Sequence, residues 1–259
     1  MYIQKNILMA SSLKTVKPLS LADMTPVIEQ YTIVRPKPLP PLLPYRQHTI
    51  QNIDRTSLAL KTLVIGLGGM GGHAVTYLRQ HSQYRLDTCA VDTNAKDLAN
   101  TQATYRILLG KNELHGLGTG IAPEISAKLI QDELEQLDGF IKMHGYEAMI
   151  VLAGLGGGTG SGALPVILDY AKQHRLPCIS AVTMPFNFEG SRKNAIAASV
   201  LDKLQANAPD MFVVHQQLLL QKYPKTGFRD ALESSLEEIK RHIENRLDEG
   251  FRAAGIQYA

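Results

Sequence analysis

Tryptophan is absent from this sequence, cysteine occurs twice, and aromatic residues make up only 6% of it. Two cysteines cannot build the disulfide framework of a small secreted domain. Cys89 and Cys178 each fall in an apolar run with strand character, so both are expected as buried, reduced thiols of a cytoplasmic protein. A strong charge of one sign is also missing. The formal net charge is +3, but residues 1–60 hold seven Lys/Arg against three Asp/Glu, leaving 20 against 21 for the remainder. The basic excess thus belongs to the N-terminal arm alone, and no nucleic-acid partner is expected. Long apolar runs are lacking too. Residues 7–10 are too short for a signal-peptide core. Residues 148–168 carry no charge over 21 positions, yet include six glycines and a proline, which suits a strand, loop and helix start better than a membrane span. The eight histidines form no ligand-spaced pair with cysteine or carboxylate, so no structural metal is expected, and no Ser/His/Asp or Cys/His constellation stands out.

What is present divides into three parts. Residues 1–60 form a basic, Pro-rich N-terminal arm, with Pro36, Pro38, Pro40, Pro41 and Pro44 close together, where fixed φ and missing donors favour an extended path. Such an arm could dock a protein partner. Residues 61–225 alternate apolar runs near 61–66, 86–92, 105–109, 147–153, 178–183 and 210–214 with helical patterns near 72–83, 123–144, 160–174 and 191–206. This alternation predicts an α/β fold, a Rossmann-like three-layer sandwich around a mostly parallel sheet. Residues 226–259 read as a long C-terminal helix and tail, with Phe228, Leu232, Leu236, Ile239, Ile243, Leu247 and Phe251 on one stripe and charges on the other faces.

Two glycine loops carry the chemistry. Gly66-Leu67-Gly68-Gly69-Met70-Gly71-Gly72 follows one apolar strand and opens a helix, so backbone N–H groups and a helix N-terminus can approach a phosphate. Alone it also fits a dinucleotide fingerprint, with Asp92 placed as the ribose-binding acid. A second loop, Gly154 to Gly162, again follows a strand and precedes a helix. Two such loops can converge on one polyphosphate, whereas a dinucleotide site needs only the first. No Lys follows the last glycine, so this is not a Walker loop; backbone amides, helix dipoles and the hydroxyls of Thr159 and Ser161 would hold the phosphates.

The stretch GGGTGSG at 156–162, with VIGLGGMGGHAV, VDTNAKDL, GLGTGIAPE and TMPFNFEG in order, resembles the FtsZ/tubulin superfamily. The resemblance implies GTP or GDP as ligand, with Mg²⁺ held through the nucleotide. Carried over by position, it puts Gly68, Gly69, Met70 and Gly71 near the α- and β-phosphates, with Asp92 among the contacts. Gly118, Thr119 and Gly120 would lie at the γ-phosphate, and Gly156, Gly157, Gly158, Thr159, Gly160 and Ser161 would close around the phosphate chain. Pro185 and Glu189 would face the ribose, with Lys193 in place of the family's arginine. Gln217 and Glu237 would read the guanine base.

Departures from the family are equally specific. His73 stands for an asparagine, Asp92-Thr93-Asn94 reverses Asn-Thr-Asp, Ala122 replaces another asparagine, and Leu232 replaces a stacking aromatic. Neither the family's Asn-x-Asp-x-x-Asp loop nor its second domain follows before Ala259. The expectation is therefore a guanine-nucleotide-binding switch or scaffold, native in this shortened form, with weak or absent hydrolysis and a protein partner at the arm or the last helix. A filament-forming GTPase is the alternative, and a NAD-dependent enzyme a more distant one.

Overall fold

The computed structural model describes residues 60–205, 208, 211–222 and 227–253. The Pro-rich arm lies outside the described residues. Strand β1 (Thr62–Leu67) is buried along its whole length, as a central parallel strand covered on both faces must be. It is followed by α1 (Gly68–His81), β2 (Asp87–Asp92), α2 (Ala95–Asn100), β3 (Tyr105–Leu108) and the single turn α3 (Lys111–Leu114). Then come α4 (Pro123–Asp132), α5 (Leu134–His144), β4 (Ala148–Gly154), α6 (Gly158–Gln173), β5 (Cys178–Met184) and a 3₁₀ turn, Asn187–Glu189. The chain continues through α7 (Ser191–Gln205), β6 (Phe212–His215), α8 (Gln216–Lys222) and α9 (Phe228–Ala253).

The six strands pair in the order β3-β2-β1-β4-β5-β6, all parallel. Side-chain alternation along the strands splits the interior into two cores. Leu63, Ile65 and Leu67 of β1, with Met149, Val151 and Ala153 of β4, pack under α4, α5, α6 and α7. Val64 and the intervening Ile150 and Leu152 pack under Ala74, Val75 and Leu78 of α1 and Leu236, Ile239 and Ile243 of α9. The predicted Rossmann-like sandwich is the observed fold. Its strand order reverses between β1 and β4, and in such sheets the ligand crevice lies at the strands' carboxyl ends beside that point.

Several local expectations change. The first helix begins at Gly68 rather than 72, so the glycines after Leu67 are themselves the helix N-terminus. Gly71 is required by packing: a Cβ there would lie 2.6 Å from the Leu152 carbonyl oxygen of β4. The single helix expected over 123–144 is broken at Glu133 (φ −100°, ψ 5°) into two helices. Ser126, Leu129 and Ile130 are the buried residues of α4, whereas Leu137 and Ile141 are those of α5. Cys89 is buried, and burial pushes its thiol up to about 12, but Cys178 is exposed as the first residue of β5. On the charged faces of α9, Arg229, Asp230, Glu233, Arg241 and Arg246 are exposed, while Glu237, Glu244 and Asp248 accept hydrogen bonds from Tyr77, from Ser82 and Gln83, and from Tyr84 respectively. Among the described residues, no helix is long and apolar enough to cross a membrane.

Candidate functional site

A cleft of about 620 Å³ opens across the carboxyl ends of the strands, reaching from Asp92 at the end of β2 to Gln216 after β6. Four strand-to-strand steps separate those two residues, roughly 19 Å at the usual spacing. The two glycine-rich helix starts meet in its middle: a Cβ on Gly68 (φ 71°) would lie 3.1 Å from the Gly160 nitrogen. Neither α1 nor α6 has a side chain capping its first N–H groups, whereas α2 is capped by Asn94, whose Oδ1 accepts from Lys96 N and Asp97 N. Uncapped N–H groups at a helix start carry the positive end of the helix dipole and suit an anion.

The loop Gly118–Gly120 is stitched over these helix starts. Gly118 N donates to the Thr93 carbonyl oxygen at 3.0 Å and Thr119 N to Thr93 Oγ1 at 3.2 Å. Gly158 N donates to the Gly120 carbonyl oxygen at 3.1 Å, which ties the loop to the start of the second helix. Thr119 Oγ1 is buried without a hydrogen-bond partner among the described residues, an orphaned hydroxyl at the cleft.

Asp92 is 5% exposed and anchors the β2 end. Its Oδ1 accepts from Thr93 N (2.7 Å), Asn94 N (3.2 Å) and Thr159 Oγ1 (3.1 Å). Thr159 Oγ1 also lies 2.8 Å from Thr93 Oγ1. Burial raises the Asp92 pKa, opposed by those three hydrogen bonds and assisted by nearby Asp97. Reversing the family's Asn-Thr-Asp has thus placed the carboxylate in the interior and the amide at the helix cap.

Of the residues nominated from the sequence, Gly68, Gly69, Met70, Asp92, Gly118, Thr119, Gly120, Gly157, Gly158, Thr159, Gly160, Pro185, Glu189 and Lys193 line the cleft. Glu189 is occupied on both oxygens: Oε1 accepts from Phe186 N at 2.9 Å and Oε2 from Lys193 Nζ at 3.0 Å. Five nominees lie outside the lining. Gly71 packs on β4, and Gly156 N donates to Ser161 Oγ at 2.8 Å, which fixes the second loop from below. Ser161 itself borders a larger, mostly apolar groove of about 1130 Å³ between α6 and α7. Gln217 Oε1 accepts from Asn187 N at 3.1 Å, and Glu237 Oε2 accepts from the Tyr77 hydroxyl at 2.9 Å.

The other end of the cleft is built largely from three phenylalanines that sequence reasoning did not place in the site, beside Gln216 and Leu232, which the family resemblance set near the base. Phe186 and Phe188 stack at 5.1 Å between ring centroids, and Phe228 meets both edge-on at 5.3 and 5.7 Å. Gln216 and Leu232 complete that wall. The Pro-Phe-Asn-Phe sequence held the signal for the aromatic pair; Phe228 was visible only as part of the last helix's stripe.

Comparison with known proteins matches these features to one family. The model of the Tubulin/FtsZ family, GTPase domain, matches residues 61–224. Cell division protein FtsZ 2 of Rhizobium meliloti is 35% identical over 177 residues, covering 68% of this chain and 51% of that protein. Cell division protein FtsZ of Methanothermobacter thermautotrophicus is 35% identical over 171 residues, covering 66% and 44%. The solved structure of an empty FtsZ dimer from M. jannaschii superposes with a TM-score of 0.64 at 26% identity, covering 75% of this chain and 56% of that one. The chain spans about half the length of the curated relatives it matches. On sequence, fold and site geometry together, the chain belongs to the Tubulin/FtsZ family and comprises its GTPase domain.

Proposed function

We propose that the chain binds a guanine nucleotide along this cleft, phosphates at the two helix starts, and works as a nucleotide-dependent switch or scaffold with weak intrinsic hydrolysis. The observation that carries the binding reading is the meeting of two uncapped helix N-termini at Gly68 and Gly160, beneath a loop holding an unpartnered threonine hydroxyl. Phosphate oxygens are acceptors only, and this is a surface of donors. Mg²⁺ would enter with the nucleotide, held through phosphates and water, and supply charge neutralisation.

Weak hydrolysis is supported by how the cleft's acids are used. Water attack on a phosphoryl group requires an orienting group beside the terminal phosphate. Asp92 accepts three hydrogen bonds through Oδ1, Glu189 is engaged on both oxygens, and Asp97 lies over Gly69 at the start of α1. Asp92 and Glu189 are thus held by donors of the protein itself. A second reading, a filament-forming GTPase of the cell-division type, is favoured by the apolar cleft mouth, where Leu117 (73%), Phe188 (63%) and Phe228 (54%) are exposed. A neighbouring subunit could cover those side chains and supply the missing acid.

The deciding experiment is GTP binding by calorimetry, followed by phosphate release and sedimentation of the same sample. Tight binding with slow release and no sediment supports the switch. Brisk GTP-dependent polymer with phosphate release supports the filament, and preference for NAD over GTP contradicts both.

A further inference from the structure

The groove between α6 and α7 shares no lining residue with the nucleotide cleft and lies on the sheet face away from α1 and α9. Its walls are Val166 and Leu168 of α6 and Ile196 and Val200 of α7, all only partly buried. Its floor includes Met211 and Cys178, the latter exposed as the first residue of β5. The α7 wall is low because Ala195 and Ser199, one turn apart and both exposed, put only small side chains there.

Backbone hydrogen bonding limits what can fill such a groove. β5 is already paired along both edges, by β4 and β6, and the walls are helices whose backbone groups are paired internally. An ordinary extended segment laid there would bury N–H donors with no acceptors to meet them, which is costly. A proline-rich segment has few donors to lose. In Leu39-Pro40-Pro41-Leu42-Leu43-Pro44 only the leucines carry a backbone N–H, and their side chains are the apolar complement of the walls.

Length and position agree with that choice. Six residues in a polyproline II path cover about 19 Å, and the α7 wall from Arg192 to Leu204 rises about 18 Å. The described residues begin at Leu60, beside Lys61, whose carbonyl oxygen accepts from Glu147 N. Across β4, Met149 N donates to the Pro177 carbonyl oxygen. Lys61 is therefore two strand spacings, about 10 Å, from the groove's lower end at Leu176 and Cys178. Residues 46–60 can reach up to about 50 Å, so the span is easily met. Asp169 and Glu124 on the rim make no ion pair among the described residues, and Arg35 and Lys37 stand just before the apolar run. Lys172, Arg192 and Lys203 also line the groove, so apolar fit rather than net charge selects the occupant.

We propose that residues 39–44 of this same chain dock in the groove between α6 and α7, strapping the Pro-rich segment to the body that carries the nucleotide cleft.

The test places the photoreactive amino acid p-benzoylphenylalanine at position 42 of the full chain in place of Leu42, irradiates, and maps the adduct by mass spectrometry. The expected adduct lies within one chain, on α6 or α7 residues that line the groove, with a yield unchanged on dilution. Ala195→Arg, projecting from an exposed position, should cut that yield by about tenfold while circular dichroism stays the same, and Ser199→Arg should do so from the next turn. No adduct, an adduct on another face, or a yield indifferent to both arginines overturns the proposal. A yield that falls with dilution overturns it too, since the segment would then be meeting a second copy.

Discussion

The cleft has two ends made in different ways. At the phosphate end the contact surface is backbone: helix starts at Gly68 and Gly158, and a loop pinned to them through Gly118 and Gly120. At the other end it is side chain: Phe186, Phe188, Phe228, Leu232 and Gln216. A backbone surface tolerates no added atoms, so its residues are fixed by shape. A side-chain surface can exchange one group for another and keep its outline. The difference predicts that the first end controls whether a nucleotide binds, and the second which one.

Gly158→Val should have the largest effect. A Cβ there would run into Thr119 Oγ1 and lie 2.7 Å from the Gly120 carbonyl oxygen, displacing the loop that closes the phosphate end. Nucleotide affinity should fall by on the order of 100-fold while circular dichroism still reports the fold. Unchanged affinity would mean that the phosphates lie elsewhere. Thr159→Val should be next. It removes a donor to buried Asp92 and a partner of Thr93, costing about 1–3 kcal/mol in denaturant unfolding. It should also weaken the nucleotide, because the helix start shifts.

Asp92→Asn should have a smaller effect of opposite sign. The folded pKa of Asp92 is raised, so its contribution favours the fold at low pH and is lost as pH rises through that folded value. At neutral pH the buried charge is a cost, which a neutral amide still able to accept from Thr93 N, Asn94 N and Thr159 Oγ1 would relieve. The variant should therefore melt about 2–4 °C higher at pH 7 without ligand. The gain should shrink as pH falls through the raised value towards 3.8, the ordinary carboxylate pKa. A variant that melts lower at pH 7 would show that the charge supports this end of the cleft. Phe228→Ala belongs to the other end and should change affinity by about tenfold or less, without altering tripolyphosphate binding.

The same division explains what the sequence disclosed. Apolar runs and intervening helical patterns were sufficient to place the six strands, because burial on both faces leaves uninterrupted apolar stretches such as Leu63–Ile65 and Met149–Leu152. The glycine loops were legible because contacts like that of Gly71 with Leu152 exclude every other residue. The base end was less so. Whether Gln216 or Gln217 faces the cleft depends on where α8 begins, and one residue turns a helix by about 100°. Which way Glu237 points depends on how α9 packs on α1, where Tyr77 supplies a partner 160 positions away in sequence. Cys178 was misjudged for a related reason, since its strand is buried only from the third residue on.

The most direct test of the phosphate cradle is a calorimetric series of GTP, GDP, GMP and guanosine against the intact chain with Mg²⁺. Affinity should fall as phosphates are removed, by on the order of 100-fold or more from GTP to guanosine, because charge-assisted bonds to uncapped helix starts supply most of it. Guanosine binding as tightly as GTP would contradict the account.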